Sequence, residues 1–221
     1  MAYNNRGVSV DVVIDIETVV IPPTPDEIEE FKANWKPSGN AKKEETVERQ
    51  REEAFANIEQ TISEKRRYSI GGKRMVCAAM GTISHISQSV TDIESWASDD
   101  LKEITTGIAK YVEKLQDFNL IGWNHKTFDM PELAKSFRLT GVRPKHKPSK
   151  WGVIDLCQYP FDRKSLKEVA RAFGLEVLQV DGSDVSRLHA DKEWDKLREY
   201  NEHDVYITGE LFLAASTIFT F

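Results

Sequence analysis

Residues 8–17 read VSVDVVIDIE, and the run continues through Thr18, Val19 and Val20 before Pro22 and Pro23 end it. So dense a run of Val and Ile predicts a strand buried on both faces, of the kind found inside α/β sheets. Its polar end is as informative as its apolar body. Asp15 and Glu17 stand two residues apart, so the period-two pleat sets both carboxylates on one side of the strand, at the end where open α/β sheets place their ligands.

Beyond the prolines the composition changes. Residues 26–67 are densely charged, with Ile28, Phe31 and Trp35 on one helical stripe and Ala54, Ile58 and Ile62 on a second. Pro37-Ser38-Gly39-Asn40 separates the stripes, which predicts a charged helical hairpin inserted at about residues 22–70. Strand character returns in KRMVCAAMGTISHISQSV, residues 73–90, read as two antiparallel strands turning near Ser84 and His85. Leu101, Ile104, Ile108, Tyr111, Val112 and Leu115 are spaced for a helix over 99–117. FNLIGW at 118–123 is a short strand, and FDMPELAKSFRLTG opens a helix that Gly141 ends. After the loop VRPKHKPSK come the short strand GVIDL at 152–156, a helix capped by Ser165 and stopped at Gly174, and a last helix from about Lys192 to beyond Leu211. This alternation predicts an α/β fold with a mixed sheet.

A chain of 221 residues with 40% hydrophobic content can bury one large core. No apolar stretch approaches the length of a membrane span, and the start MAYNNRGVSV lacks the regions of a signal peptide. The expectation is a cytoplasmic chain with no membrane partner. Cys77 and Cys157 are the only cysteines and read as buried free thiols, not a disulfide framework. A net charge of -6 argues against nucleic acid only weakly, since clustered catalytic acids would themselves raise the acidic count. The loop with Arg143, Lys145, Lys147 and Lys150 fits either a nucleic-acid backbone track or a solvated loop.

Two more motifs join the first. NHKTFDMPEL places Asp129 just beyond the 118–123 strand, at the start of a helix, and YNEHDVYIT places Tyr200 and Asp204 four apart on one helix face. Four carboxylates on separate elements supply the oxygen ligands that two hard divalent cations need to act on a phosphodiester. Singly, each has an ordinary reading: a solvated strand end, a first-turn acid favoured by the helix dipole, one acid on a wet helix face. A Tyr four residues before an Asp is also short enough to arise by chance. The conjunction of order, residue type and element placement carries the weight. Asp155 in VIDL reads more readily as a structural hydrogen-bonding group than as a supporting partner of a metal ligand.

The DIET sequence, Asn124-x-x-x-Phe128-Asp129 and Tyr200-x-x-x-Asp204 resemble the motifs of the DEDDy 3′-5′ exonucleases of the ribonuclease H-like fold. The phrases GWNHKTFDMPEL, VIDL and SLKEVARAFGL are similar to the proofreading domain of family-B DNA polymerases in a stand-alone form. The likeness runs from residue 8 to 213 and skips 22–70. It implies a five-stranded mixed sheet flanked by helices, a single exonuclease domain over 1–221 with 22–70 as an insertion, and hydrolysis from the 3′ end of single-stranded DNA by two Mg²⁺ or Mn²⁺ ions. By that resemblance Asp15, Glu17 and Asp204 hold one ion, while Asp15, with Asp129 through water, holds the other. Tyr200 orients the attacking water, Asn124 and Phe128 contact the terminal nucleotide, and Thr18 and Val19 bring backbone close to its base. For Phe128, core packing competes with that role. Histidine-type relatives carry a His five residues before the last aspartate; Glu199 stands there, so the tyrosine type is implied and His203 is a neighbour on another helix face. The apolar stripes of the inserted helices allow a contact with replication or repair proteins or a dimer contact, with packing back on the body the favoured reading.

Two other functions fit the same residues. One is an RNA 3′-end trimmer, since nothing in the sequence reads as a 2′-hydroxyl reader. The other is a non-catalytic nucleic-acid-binding or replication-partner module, against which stand four acids that a pure phosphate binder gains little from clustering.

Overall fold

The Val/Ile run forms the central strand β1 (Val10–Val20) of a computed structural model that describes residues 10–39, 43–67, 70–115, 117–148 and 152–219. Val8 and Ser9 of the predicted strand, and Lys150 of the basic loop, lie outside the described residues. The chain divides into two compact units, one of residues 1–19 with 75–221 and one of residues 20–74.

The smaller unit holds three helices, α1 (Pro25–Asn34), α2 (Glu44–Ala56) and α3 (Ile58–Arg67), where the sequence predicts a hairpin of two. The second apolar stripe is broken at Asn57, whose side-chain amide donates to the Glu53 carbonyl at 2.9 Å and so competes with continuation of the helix. A reciprocal capping box between Thr24 and Glu27 starts α1. Hydrogen bonds from the Thr24 backbone and hydroxyl, then from Arg66, hold the Glu27 carboxyl down at about 2. Trp35 meets Phe55 edge to face at 6.2 Å between centroids, and Lys65 lies over the Phe31 ring, so the first predicted stripe meets residues of α2 and α3 that lie outside the second stripe.

The larger unit is built on a five-stranded sheet of order β3-β2-β1-β4-β5, with β2 (Lys73–Ser84), β3 (Ser89–Ala97), β4 (Phe118–Gly122) and β5 (Val153–Asp155). β4 runs parallel to β1, with Val13 opposite Ile121, and β5 runs parallel to β4, with Asp155 opposite Gly122. β2 and β3 are antiparallel, from Cys77 opposite Ala97 to Ser84 opposite Ser89. The predicted mixed sheet and the turn after Ser84 are therefore present, and both cysteines are buried and free.

Alternation along β1 sorts the core into two layers. Val12, Ile14 and Ile16 face α4 (Leu101–Glu113) and α5 (Asp129–Thr140) in one cluster with Ile104, Ile108 and Leu133. Val13 faces the other way, with Leu156, Val169, Val205 and Leu211, toward α6 (Leu166–Ala172) and the long α8 (Trp194–Ser216); the short α7 (Val185–Ala190), which no periodicity announces, joins Val19 and Tyr200 in a third cluster. Caps follow the expected chemistry: Asp100 accepts from the Lys102 amide at 2.9 Å, Ser165 from the Glu168 amide at 3.2 Å, and Gly141 closes α5 at a φ of 71°. α8 lies hard against the sheet at Gly209, where an added Cβ would come 2.2 Å from the Val90 side chain. That close approach sets the depth at which Tyr200 and Asp204 reach the strand ends.

Candidate metal centre

Asp15 and Glu17 leave β1 on the face that α8 covers, and Asp204 meets them from that helix: one oxygen from each carboxylate lies within 4.8 Å of the others. Three acids so close repel one another and lose hydration. Burial first, then the charges of Asp129, Glu17 and Asp204, push the Asp15 carboxyl well above its ordinary range. Burial, Asp204 and Asp129 do the same to Glu17. Desolvation raises Asp204 to about 6, against a hydrogen bond from the Tyr200 hydroxyl and the charge of Lys167. One Asp204 oxygen is buried without any hydrogen-bond partner, a costly state for a carboxylate.

Asp129 enters from the first turn of α5. It is 2% exposed, and its Oδ1 accepts from the Ile16 amide at 3.2 Å, which ties α5 to β1 between the two strand acids. Burial lifts it to about 7 in spite of that bond. The structure thus brings Asp129 beside the trio, close enough to raise Asp15 and Glu17, while the tight cluster itself is Asp15, Glu17 and Asp204. Oxygen-only donors, mutual repulsion and an unpartnered buried oxygen are what a hard divalent cation would relieve. The residues fit such a cation.

Tyr200, 5% exposed, bonds its hydroxyl into the same acids. Burial, then Glu17, Asp204 and Asp15, push the phenol far above its ordinary value. Val19 is buried in the cluster with Tyr200, and Thr18 is half-buried. Asn124 is exposed and Phe128 half-buried against the α4–α5 core layer. Asn124 adopts a left-handed φ of 57°, and Thr127 donates its hydroxyl to the Asn124 Oδ1 at 2.5 Å. The amide is thereby oriented with its NH₂ donors turned to other partners.

Asp155 holds that turn. Its two carboxylate oxygens accept from the Asn124 amide at 2.9 Å and the Lys126 amide at 3.0 Å, so β5 fixes the segment from which Asn124, Phe128 and Asp129 depart. This is the structural role the sequence favours, exercised on the site's own loop. Beneath it His125 is fully buried, and its desolvation brings it down to about 4. Gly122 makes the space, since a Cβ there would lie 2.3 Å from the imidazole.

Two residues escape the sequence reading. Asn201 is fully buried, donates its side-chain amide to Asp15, and accepts from the Cys77 thiol at 3.4 Å. It breaks the apolar stripe between Leu197 and Val205, and that break is the signal that would have found it. Lys167 of α6 lies 5.3 Å from the Tyr200 ring centre and offsets the charge of Glu17 and Asp204; on the sequence it is one more helix-surface cation. His203 bonds to the Glu176 carbonyl at 3.0 Å, and its charge acts on Asp204 only as a minor influence. The basic loop leaves the C-terminal end of α5 (Asp129–Thr140), about 16.5 Å along the helix from Asp129 at about 1.5 Å per residue. It does not join the centre.

The raised carboxyls carry a pH signature. A carboxyl whose folded pKa is raised adds stability that is full below its unfolded value near 3.8 and is lost as pH climbs through about 6 for Asp204 and about 7 for Asp129. The metal-free protein is expected to lose on the order of 5 °C of Tm between pH 5 and pH 8. Adding Mg²⁺ at pH 8 restores it; calorimetry showing a flat profile would contradict the crowding of these acids.

Among known proteins, the family model of the RNase H superfamily matches residues 54–215. Of solved structures, the family-B DNA polymerase from the hyperthermophilic archaeon Pyrobaculum calidifontis aligns with a TM-score of 0.54 and 16% identity over 93% of this chain and 24% of its own. The phi29 DNA polymerase complexed with primer-template DNA aligns with a TM-score of 0.48 and 12% identity, covering 95% of this chain and 31% of that one. The chain spans about a quarter of the archaeal polymerase, and at that identity the likeness concerns fold alone. Comparison with curated proteins gave no match.

Proposed function

The chain belongs to the RNase H superfamily, and from that membership we propose that it is a metal-dependent 3′-5′ exonuclease of the tyrosine type, acting in the cytoplasm on single-stranded DNA. The observation that carries the reading is the convergence of Asp15, Glu17 and Asp204 within 4.8 Å, with Asp129 and Tyr200 bonded in beside them. Asp15, Glu17 and Asp204 would hold one Mg²⁺ or Mn²⁺, and Asp15 with Asp129 a second. When bound, such ions lower the pKa of water and stabilise charge on the leaving oxygen of an in-line displacement.

This chain's own groups do the rest. Tyr200 positions the attacking water by a hydrogen bond, a role that suits a phenol with an ordinary pKa of about 10 better than proton removal. Asn201 fixes the rotamer of Asp15, and Lys167 balances part of the negative charge as a phosphate approaches. Asn124 offers its NH₂ to the terminal nucleotide while Thr127 holds its oxygen, and Phe128 walls the sugar or base. The 3′-end direction is taken from the resemblance to the DEDDy exonucleases, since carboxylates and metal ions alone hydrolyse a phosphodiester without choosing an end. No helix among the described residues is long and apolar enough to cross a membrane.

Degradation of 5′-labelled single-stranded DNA and RNA of matched sequence, with Mg²⁺, Mn²⁺ or EDTA, tests the proposal. A ladder shortening from the 3′ end, stronger on DNA and absent with EDTA, is expected. Faster loss of RNA would instead identify an RNA trimmer, and no metal-dependent loss of either strand would leave a binding module. Within the same assay, Asp155→Ala is expected to lower kcat/KM at least about tenfold, because it frees the turn that presents Asn124, Phe128 and Asp129. A wild-type kcat/KM would contradict that positioning role.

A further inference from the structure

β2 crosses the core through Met75, Val76, Cys77, Ala78, Ala79 and Met80, none more than 1% exposed. Cys77 has the only side chain in that run able to donate a hydrogen bond. Its thiol meets the Asn201 Oδ1 at 3.4 Å, while the Leu197 carbonyl lies farther off at 3.8 Å. A thiol is ordinarily protonated at neutral pH, and burial pushes this one further up. Asn201 is itself fully buried, and its NH₂ donates to the Asp15 Oδ2. Two hydrogen bonds in series therefore run from β2 through α8 to the first acid of β1. Among the described residues, the thiol is the one donor to the Asn201 Oδ1.

An amide has two ends of nearly equal shape, and the partners at each end decide which way it faces. A carboxylate only accepts, so the NH₂ has to face Asp15; the reverse orientation would set two oxygens against each other. At the far end the thiol supplies the matching donor, without which a buried oxygen would be left unpaired. Held this way, Asn201 takes one of the roughly four lone-pair positions of the Asp15 carboxylate and leaves the others for cations. We propose that Cys77 is a positioning residue of the metal centre, its thiol fixing the Asn201 amide and, through it, the Asp15 carboxylate. The role rests on the metal-dependent function proposed for the site. Groups that orient a metal ligand from behind are worth about 10- to 100-fold in ion affinity. A plain packing role is the alternative, since Cys77 also lies in the cluster with Val19, Leu188 and Tyr200. The two roles rank substitutions differently. A buried hydroxyl costs stability relative to a methyl group, so packing alone favours Ala over Ser throughout, whereas a donor favours Ser over Ala in ion binding.

Calorimetric titration of Mn²⁺ into wild type, Cys77→Ala and Cys77→Ser tests this. Cys77→Ala is expected to weaken Kd about tenfold and Cys77→Ser to stay within about threefold of wild type, although the Ser variant melts no higher than the Ala variant. Infrared spectroscopy adds a readout in the unsubstituted protein. The S–H stretching band that disappears in Cys77→Ala should rise in wavenumber as Mn²⁺ is added and saturate with the calorimetric isotherm. A carboxylate bound to cations pulls less on the amide, and so weakens the thiol bond behind it. Wild-type Mn²⁺ affinity in Cys77→Ala, equal weakening by Ala and Ser, or an S–H band indifferent to bound Mn²⁺ would each overturn the role of Cys77 and leave the metal centre standing. A wild-type protein that binds no Mn²⁺ would fail both.

Discussion

Replacing Asp204 by Ala is expected to reduce single-strand degradation at least about a thousandfold while leaving the fold intact. Asp204 is the only acid of the trio contributed by α8, and it meets Asp15 and Glu17 from the helix side. Removing it takes away one ligand and the coordination geometry that depends on having ligands from two elements. The protein itself has little to lose. One Asp204 oxygen is unpartnered, and its charge raises both Asp15 and Glu17, so the metal-free variant is expected to melt no lower than wild type. Asp15→Ala should be equally inactive; it also strips Asn201 of its acceptor and so sacrifices some stability. Wild-type rates in Asp204→Ala, measured on 5′-labelled DNA, would refute the metal assignment.

Tyr200→Phe is expected to lower kcat about a hundredfold with KM within about threefold. The ring packs with Val19, Leu188 and Leu197 and Phe keeps that packing, so circular dichroism and Tm should change little. What disappears is one hydroxyl beside three neighbouring carboxylates. A hydroxyl that acts as a donor contributes position, and losing it leaves slow turnover, not none. The pH dependence of the residual activity should be unchanged in shape, since no titrating group has been removed. A shifted alkaline limb in the variant would make Tyr200 a base and overturn the positioning role.

Much of the architecture follows from patterns of two and of three to four residues. The alternation of Val12, Ile14 and Ile16 with Val13 and Asp15 announced a strand covered on both faces, and the spacing of Ile104, Ile108, Tyr111 and Val112 announced α4. The break at Asn57 was less visible, because asparagine stops a helix only when its side chain finds a carbonyl. α7, with only Val185 and Leu188 buried, is too short to display a period.

At the centre, sequence separates residues that space unites. Asp15 and Asp204 are ordinary acids until the close packing of α8 at Gly209 brings their elements together. Asp155 gave a strand-end acid but no hint that both its oxygens are committed to the Asn124 turn. Lys167 could not be told from the other cations on helix surfaces, since its value lies in the charge of Glu17 and Asp204, both distant in sequence. Asn201 was legible in principle, as a polar side chain standing in an apolar stripe.

Calorimetric titration of Mn²⁺ into the metal-free protein and into Asp204→Ala tests the central claim most directly. Saturable binding with two ions per chain in wild type, and loss of at least one in the variant, is the predicted result. Absence of saturable binding at millimolar Mn²⁺, or an isotherm that Asp204→Ala leaves unchanged, would contradict a metal centre at Asp15, Glu17 and Asp204.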